Sequence, residues 1–376
     1  MNVLFLRSNP VDPDPRVEKE VKALIEEGYN VEIFAWNREE DHPIDSYYLR
    51  SNQSVVVNKI GIKATYGGGM RNNIKPLIKF QLAIIKWVTK NRKRFDVIHA
   101  CDFDTALTSL ILKKLYGKKL VYDIFDYYVD AFNVPNQLRN FIQRIDHFII
   151  NHADEVILCS EERIIQIKGT NPKNLSIIHN SPEDISLDLM KSSNEFDSNK
   201  LKIVYVGILS EDRLLSELME VVKDNQNYEF HIGGFGQLED TVKEWSIKSD
   251  NIFYYGKIQY YDVLLLESQC DVMIACYNPA IKNHKYAAPN KFYEALMLGK
   301  PIIMAKATGM SDIIEQSNFG VSIEYSKDGL IEGLGQLNGL VNNTEISIKM
   351  KQLYSDQYSW LEMKSRLKNL YLRLKR

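Results

Sequence analysis

Lys291 and Glu294 stand three residues apart in the segment Pro289-Asn290-Lys291-Phe292-Tyr293-Glu294-Ala295-Leu296-Met297-Leu298-Gly299-Lys300-Pro301. An ammonium in the first turn of a helix, beside backbone N–H groups that lack intrahelical partners, suits a phosphate. A carboxylate three residues on shares that face and can accept hydrogen bonds from a sugar hydroxyl. The same spacing also fits an ordinary surface ion pair on a well-capped helix. The helix follows from its borders. Asn290 is a preferred N-cap, Gly299 supplies the left-handed residue after the last turn, and Pro301 forbids continuation. The apolar run Ile302-Ile303-Met304-Ala305 has the length and bounding residues of a buried parallel strand.

Other residues upstream offer compatible chemistry. Ile203-Val204-Tyr205-Val206-Gly207 reads as a strand whose terminal glycine leaves room for a close ligand, and Arg213, at the start of a helix from about Asp212, suits a phosphate. His231-Ile232-Gly233-Gly234-Phe235-Gly236 is a strand-to-helix turn; without a Walker lysine it is a weak phosphate-loop signal, but Gly234 again permits close approach. The loop Tyr277 to Ala288 carries His284 and Tyr286 towards the Lys291 helix and is long enough to suggest function.

The pattern Pro-Asn-Lys-x-x-Glu-Ala-x-x-x-Gly-Lys-Pro followed by an apolar strand resembles the donor-site signature of retaining glycosyltransferases of family four, which have the GT-B fold. The resemblance implies that Lys291 binds donor phosphate and Glu294 the ribose of a nucleotide-sugar. It places Gly207 and Arg213 against the diphosphate, and the Asn251 to Ile258 strand and turn, with Lys257 and Ile258, at the nucleotide base. Gly234, Tyr286 and Asn290 complete the expected donor contacts. Four positions depart from the family. Tyr286 replaces an earlier Glu, as in a Pro-Asn-Lys subgroup; Ile208 replaces an Arg; Phe125 and Asp126 replace a His and a Glu.

The first half begins as a β-α-β unit, strand 2–7, helix Val17 to Glu27 and strand Val31 to Ala35. Its first turn, Arg7 to Arg16, holds three prolines and no glycine, which removes most support for an NAD-type fingerprint. A stiff loop at a strand's carboxyl end is where α/β proteins put ligands, and family members put an acceptor-side loop here, so Arg16 is an acceptor-side candidate; a structural salt bridge explains it as well. His99, in Asp96-Val97-Ile98-His99, is either a satisfied strand histidine or, by the resemblance, acceptor-side. Asp123 and Asp126, at the end of the next strand, are candidate acceptor-side and catalytic carboxylates or caps of the following helix.

From Ser46 to Phe95 there is no Asp or Glu and 11 Lys or Arg, although the net charge of the 376 residues is −2. A helix from about Ile74 to Lys93 stacks Lys75, Lys79, Lys86 and Lys90 along one face beside Trp87, a pattern suited to an anionic membrane surface or to a core helix with solvated lysines. The overall balance excludes a generally basic nucleic-acid binder. Cys101, Cys159, Cys270 and Cys276 form no CxxC pair and read as buried thiols of a reducing compartment. No run approaches the ~20 apolar residues of a membrane span, so a cytoplasmic protein at the inner membrane face is expected.

The length and the two blocks of strand-helix alternation predict an α/β architecture, GT-B, of two Rossmann-like doubly wound parallel-sheet domains facing a cleft. The expected divisions are an acceptor domain at 1–182, a linker at 183–200, a nucleotide-sugar domain at 201–354 and a returning tail helix at 355–376. By resemblance the activity is retaining transfer of a hexose or N-acetylhexosamine, from a UDP-sugar, to a glycan or lipid-linked saccharide in cell-surface synthesis. Arg213 and Lys291 would neutralise the leaving diphosphate without metal or cofactor; no DxD-like metal triad has a persuasive context, and Asp12-Pro13-Asp14 is in the wrong half. The alternatives are a GT-B sugar-nucleotide 2-epimerase and a catalytically silent nucleotide-sugar-binding subunit.

Overall fold

Runs such as Val3–Leu6, Val97–Cys101 and Ile302–Ala305 are at most 1% exposed, and this is the burial that parallel strands covered by helices on both faces require. The computed structural model describes residues 1–65, 69–132, 134–183 and 199–375, without the side chains of 69–71. Two glycines of the Gly67-Gly68-Gly69 run, Gly67 and Gly68, and most of the expected linker lie outside the described residues. The chain divides into two units, Met1–Asn180 with Met363–Arg376, and Ser181–Glu362.

The first unit holds β1 (Asn2–Arg7), β2 (Asn30–Asn37), β3 (His42–Leu49), β4 (Asn52–Gly61), β5 (Val97–Cys101), β6 (Lys119–Ile124), β7 (Glu155–Leu158) and β8 (Leu175–Ile177). Their order is β3-β4-β2-β1-β5-β6-β7-β8, parallel throughout except for the antiparallel β3–β4 pair. The sheet is doubly wound: β1 leads to β2 on one side, and β5 lies on the other. The helix Pro15–Glu26 is capped by Asp14, whose carboxylate accepts from the Val17 amide. β3 is a strand that its sequence hides, because most of its side chains are exposed and its apolar residues do not alternate. The segment after Glu161 forms the 3-10 turn Glu162–Ile165.

The final helix, Trp360–Leu374, belongs through most of its length to the first unit. The Tyr371 hydroxyl meets His99 Nδ1 at 2.8 Å, and Arg373 grips Glu155 through two bonds of 2.9 and 2.7 Å. A bidentate guanidinium–carboxylate pair fixes direction as well as position.

The second unit holds β9 (Leu201–Leu209), β10 (Tyr228–Gly236), β11 (Ile252–Tyr254), β12 (Val272–Ala275), β13 (Ile302–Ala305) and β14 (Gly320–Ile323). All pairs are parallel, in the order β11-β10-β9-β12-β13-β14, so this sheet is doubly wound about β9 and β12. The segment after β9, expected as one helix from Asp212, is a 3-10 turn Glu211–Arg213 followed by the helix Leu215–Lys223, with Leu214 left-handed between them.

β9 and β10 run in register as far as Gly207↔Gly234 and Gly236↔Leu209. Gly234 has φ +127°, and a Cβ there would fall 1.8 Å from the Gly207 carbonyl oxygen. Only glycine fits so close an approach of two backbones. The replacement Gly234→Ala is expected to destabilise the second unit by about 3 kcal/mol, through strain and a forced separation of the strand ends. Urea unfolding of the two proteins measures this difference, and a loss under about 0.5 kcal/mol would contradict it.

Candidate active site

In an open α/β sheet, ligands settle at the carboxyl ends of the strands where the winding reverses. In the second unit that point lies between β9, which ends in Gly207-Ile208-Leu209, and β12, which runs into Cys276 and Tyr277. The helix Asn290–Leu298 delivers Lys291 and Glu294 to it. Its cap is Pro289 rather than Asn290: Pro289 holds an extended φ/ψ of −67° and 138°, no side chain caps the helix, and exposed Asn290 is its first residue. Proline pre-sets the φ of a helix start, and this corrects the expected N-cap. Gly299 closes the helix in the left-handed conformation, φ +67°.

Lys291 is 8% exposed, and its Nζ donates to the Val206 carbonyl and lies 4.8 Å from the centre of the Tyr205 ring. A Cβ on Gly207 would come within 3.2 Å of that ammonium, so the space a side chain would take there borders the cation. Burial opposes the charge, but Glu294 and the Tyr205 hydroxyl outweigh it and raise the Lys291 pKa above its usual value. The Tyr205 phenol, whose pKa is raised by burial, feels both the Lys291 and the Arg213 charges. Arg213 Nη1 binds Asp212 Oδ2 at 2.6 Å and reaches His284 Nε2 at 3.3 Å, while its guanidinium stacks 3.9 Å from the Tyr277 ring centre. Arg213 and Lys291 thus flank Tyr205, and His284, buried in the loop after β12, steadies Arg213.

Glu294 is 2% exposed and accepts a 3.0 Å hydrogen bond from the Tyr260 hydroxyl. Behind it, on the helix Tyr260–Gln269, lies Glu267, wholly buried, with neither carboxylate oxygen hydrogen-bonded among the described residues. Burial first, then the Glu294 charge, pushes the Glu267 pKa well above the usual 4.5. Gly234 accepts from the Tyr254 hydroxyl at 3.0 Å, and its amide donates to the Gly256 carbonyl at 2.7 Å. Lys257 Nζ sits 5.0 Å from the Phe235 ring centre; Ile258 is half-buried. The expected unstructured loop contains a 3-10 turn, Lys282–Tyr286, which leaves Tyr286 half-buried.

Tyr205, Tyr260, Glu267 and Tyr277 were not singled out by the sequence. One signal existed: Glu267 ends the run Val263-Leu264-Leu265-Leu266, where a lone acid among apolar neighbours points inward.

In the first unit Arg16, Asp123 and His99 come together as expected candidates, but beneath the surface. Asp123 and His99 are 0% exposed and Arg16 5%. Arg16 binds Asp123 Oδ1 at 2.9 Å and Glu20 Oε1 at 3.2 Å, and His99 Nε2 faces Asp123 Oδ2 at 3.4 Å. Burial works to raise the Asp123 pKa, yet Arg16 and His99 outweigh it and hold the carboxyl low, whereas burial and Asp123 push Glu20 well up and burial lowers His99. The ligand atoms of Glu20, His99 and Asp123 lie within 4.8 Å of one another, close enough for a metal ion, but the Arg16 guanidinium already supplies the positive charge.

Arg16, His99 and Asp123 are thus buried and paired with one another, which fits the alternatives of a structural salt bridge at Arg16 and a satisfied strand histidine at His99. Asp126, the partner candidate, is half-exposed and paired with Arg163 at 2.8 Å. Neither aspartate caps the helix Tyr128–Ala131, whose cap is Tyr127 without a side-chain bond. Phe125 instead lies between two guanidiniums, 4.3 Å from Arg7 and 4.6 Å from Arg16.

Lys75, Lys79, Lys86 and Lys90 are exposed on the helix Gly69–Asn91. Trp87 is not: at 8% exposure it packs towards Phe34 and Phe95, ring centres 5.2 and 6.5 Å away. This corrects its expected place at a membrane, because the face that carries Phe80, Ile84 and Val88 is claimed by the sheet. No helix among the described residues is long and apolar enough to cross a membrane.

Residues 188–337 match the sequence model of glycosyl transferases group 1, and residues 16–181 that of Glycosyltransferase Family 4. No curated protein matches the sequence. Among solved structures, the sucrose-phosphate synthase of Thermosynechococcus elongatus superposes with TM-score 0.76 at 15% identity, covering 100% of this chain and 99% of that one. Anabaena HepE in complex with UDP gives TM-score 0.68 at 14% identity, over 99% of this chain and 100% of that one. The trehalose-6-phosphate structure from E. coli bound with UDP-2-fluoro glucose gives 0.72 at 8% identity, over 98% and 99%. With the two sequence matches falling one on each unit, the chain is a group 1 glycosyltransferase with the GT-B fold.

Proposed function

We propose that this enzyme transfers a hexose or N-acetylhexosamine, with retention at the anomeric carbon, from a UDP-sugar to a glycan or lipid-linked saccharide. The product belongs to a cell-surface polysaccharide or glycoconjugate, and the enzyme works at the inner face of the cell membrane. The observation that carries the donor assignment is the Lys291 ammonium, buried yet charged, set against the bare backbone of Gly207 at the carboxyl end of β9. HepE in complex with UDP and with UDP-glucose supports the choice of nucleotide.

In this reading the diphosphate lies at the carboxyl ends of β9 and β10, beside the backbone of Gly207 and Gly234. As the bond from the anomeric carbon to the phosphate oxygen breaks, negative charge grows on the diphosphate. Lys291, Arg213 and the N-terminal amides of Asn290–Leu298 stand ready to balance it, and fixed charges in a partly buried site act without reorganising. The ribose hydroxyls donate to Glu294, which Tyr260 holds in place. Such a site has its counter-charge built in, so activity is expected to survive chelation of divalent ions.

Glu267 fits this scheme as a neutral acid. Were both Glu267 and Glu294 ionised, two negative charges would face one buried lysine and the incoming diphosphate; the raised pKa of Glu267 avoids that.

The donor assignment is tested by thermal shifts with UDP, GDP and their sugars. UDP compounds are expected to raise Tm. Lys291→Ala is expected to weaken UDP binding at least tenfold and to lower kcat/KM by roughly 100-fold, the size of losing one transition-state charge contact. An undiminished shift in the variant would sink the assignment. Turnover of UDP-sugar in EDTA is expected to match turnover without it. For Glu267, the folded pKa lies above the unfolded one, so the folded state holds the proton more tightly and its advantage is lost as pH rises from about 4.5 through the folded value. Glu267→Gln, which cannot ionise, should therefore gain stability relative to the parent as pH rises through that window, as read by denaturation at several pH values; parallel pH curves for the two proteins would contradict it.

A further inference from the structure

Three helices follow β4, β5 and β6 in turn: Gly69–Asn91, Phe103–Tyr116 and Asn136–His152. Each connects neighbouring parallel strands on the same winding, or leads into it, so right-handed crossovers put all three on one side of the first sheet. They are direct neighbours. Gln81 Nε2 donates to the Asp104 carbonyl at 2.7 Å, and the Thr89 and Tyr116 hydroxyls meet at 2.8 Å. Lys113 Nζ reaches the His152 carbonyl at 2.7 Å, and Lys114 Nζ lies 5.0 Å from the Phe148 ring centre.

Each helix buries one face against the sheet and turns a second apolar stripe outward. On Gly69–Asn91 the stripe is Ile74, Ile78, Leu82 and Ile85, 36% to 60% exposed and one turn apart. On Phe103–Tyr116 it is Leu107, Ile111 and Leu115, at 38%, 52% and 64%. Asn136–His152 adds Phe141 at 61% and Phe148 at 47%. Exposed single apolar residues are ordinary; stripes on three adjacent helices make a patch that marks an interaction surface.

Charge selects the occupant. The three helices carry nine Lys or Arg and two acids, Asp104 and Asp146. Asp146 is 1% exposed and accepts from Tyr122 at 2.7 Å, and Asp104 pairs with Arg38 at 3.6 Å, so both are withdrawn from the face. Lys75 and Lys79 stand exposed beside Ile74 and Ile78, and Lys86 beside Ile85. A second copy of the chain on this face would bring lysines against lysines, and protein interfaces are depleted in lysine. Interleaved lysines and aliphatic side chains suit an anionic bilayer: the stems lie along the acyl boundary and the ammonium groups reach the headgroups.

We infer that the outer face of these three helices is a docking surface for an anionic lipid bilayer, with Ile111, Leu115 and Phe141 entering the headgroup boundary beside the lysines of Gly69–Asn91. The inference rests on the membrane-face part of the reading above and adds two helices to the one that the lysine spacing marked.

Flotation with vesicles tests it, using phosphatidylcholine alone and phosphatidylcholine mixed with phosphatidylglycerol. The full chain is expected to bind the mixed vesicles, to bind the neutral ones far less, and to be released by salt. Each base near an anionic surface multiplies binding about fivefold, so Lys79→Glu with Lys86→Glu should cut it more than tenfold. Ile111→Ser with Leu115→Ser should cut it about tenfold and leave the UDP-induced Tm shift unchanged, which shows that the protein is folded. Absent binding to the mixed vesicles, equal binding to both kinds, or undiminished binding by both variants would overturn the inference. So would a dimer in sedimentation that Ile111→Ser with Leu115→Ser dissolves. Lys291→Ala separates the two readings: it should float like the parent while losing UDP, and a chain that floats but ignores every nucleotide would retain the docking surface and lose the donor assignment.

Discussion

A single buried cation sets the terms for the second unit. Lys291 leaves water almost entirely, which costs free energy unless carboxylates or a dipole compensate. Here the compensation comes from Glu294 on its own helix, from the Val206 carbonyl and from the face of Tyr205. That carbonyl lies 85 residues away in sequence, so the helix Asn290–Leu298 and the strand β9 must be aligned before the charge can be buried. The same alignment puts the Gly207 carbonyl where a Cβ of Gly234 would stand. Charge, glycine and strand register are therefore one constraint rather than three.

The first unit solves a related problem with the opposite result. Arg16, Glu20, His99 and Asp123 are buried together, and the arginine lies against both carboxylates. A buried pair of this kind pays its desolvation by mutual contact, and removing one partner would strand the other. The tail helix closes the network with the Tyr371 hydroxyl on His99. Groups so thoroughly engaged with each other have little left to offer a substrate, although their residue types and strand-end positions are those of a catalytic set.

The donor-side residues were the most legible part of the chain. Lys291 and Glu294 lie within one helical turn, Gly299 and Pro301 end that turn, and local spacing is all that is needed to put them on one face. Alternating strands and helices likewise gave both sheets, because a strand buried on both faces is a continuous apolar run. β3 escaped notice since its side chains are mostly exposed. Tyr205, Tyr260 and Glu267 escaped notice because their importance comes from contacts with distant residues: Tyr260 meets Glu294 across 34 positions.

Trp87 and Asp123 illustrate the limit most clearly. The sequence by itself determined that the helix around Trp87 is amphipathic and basic and that Asp123 ends an apolar strand, since periodicity and propensity are properties of neighbours along the chain. Only the tertiary structure decided that Trp87 faces Phe34 and Phe95 and that Asp123 faces Arg16 and His99. The reason is physical: burial and pairing depend on what other elements bring to the same place, and a one-dimensional pattern contains no record of that meeting.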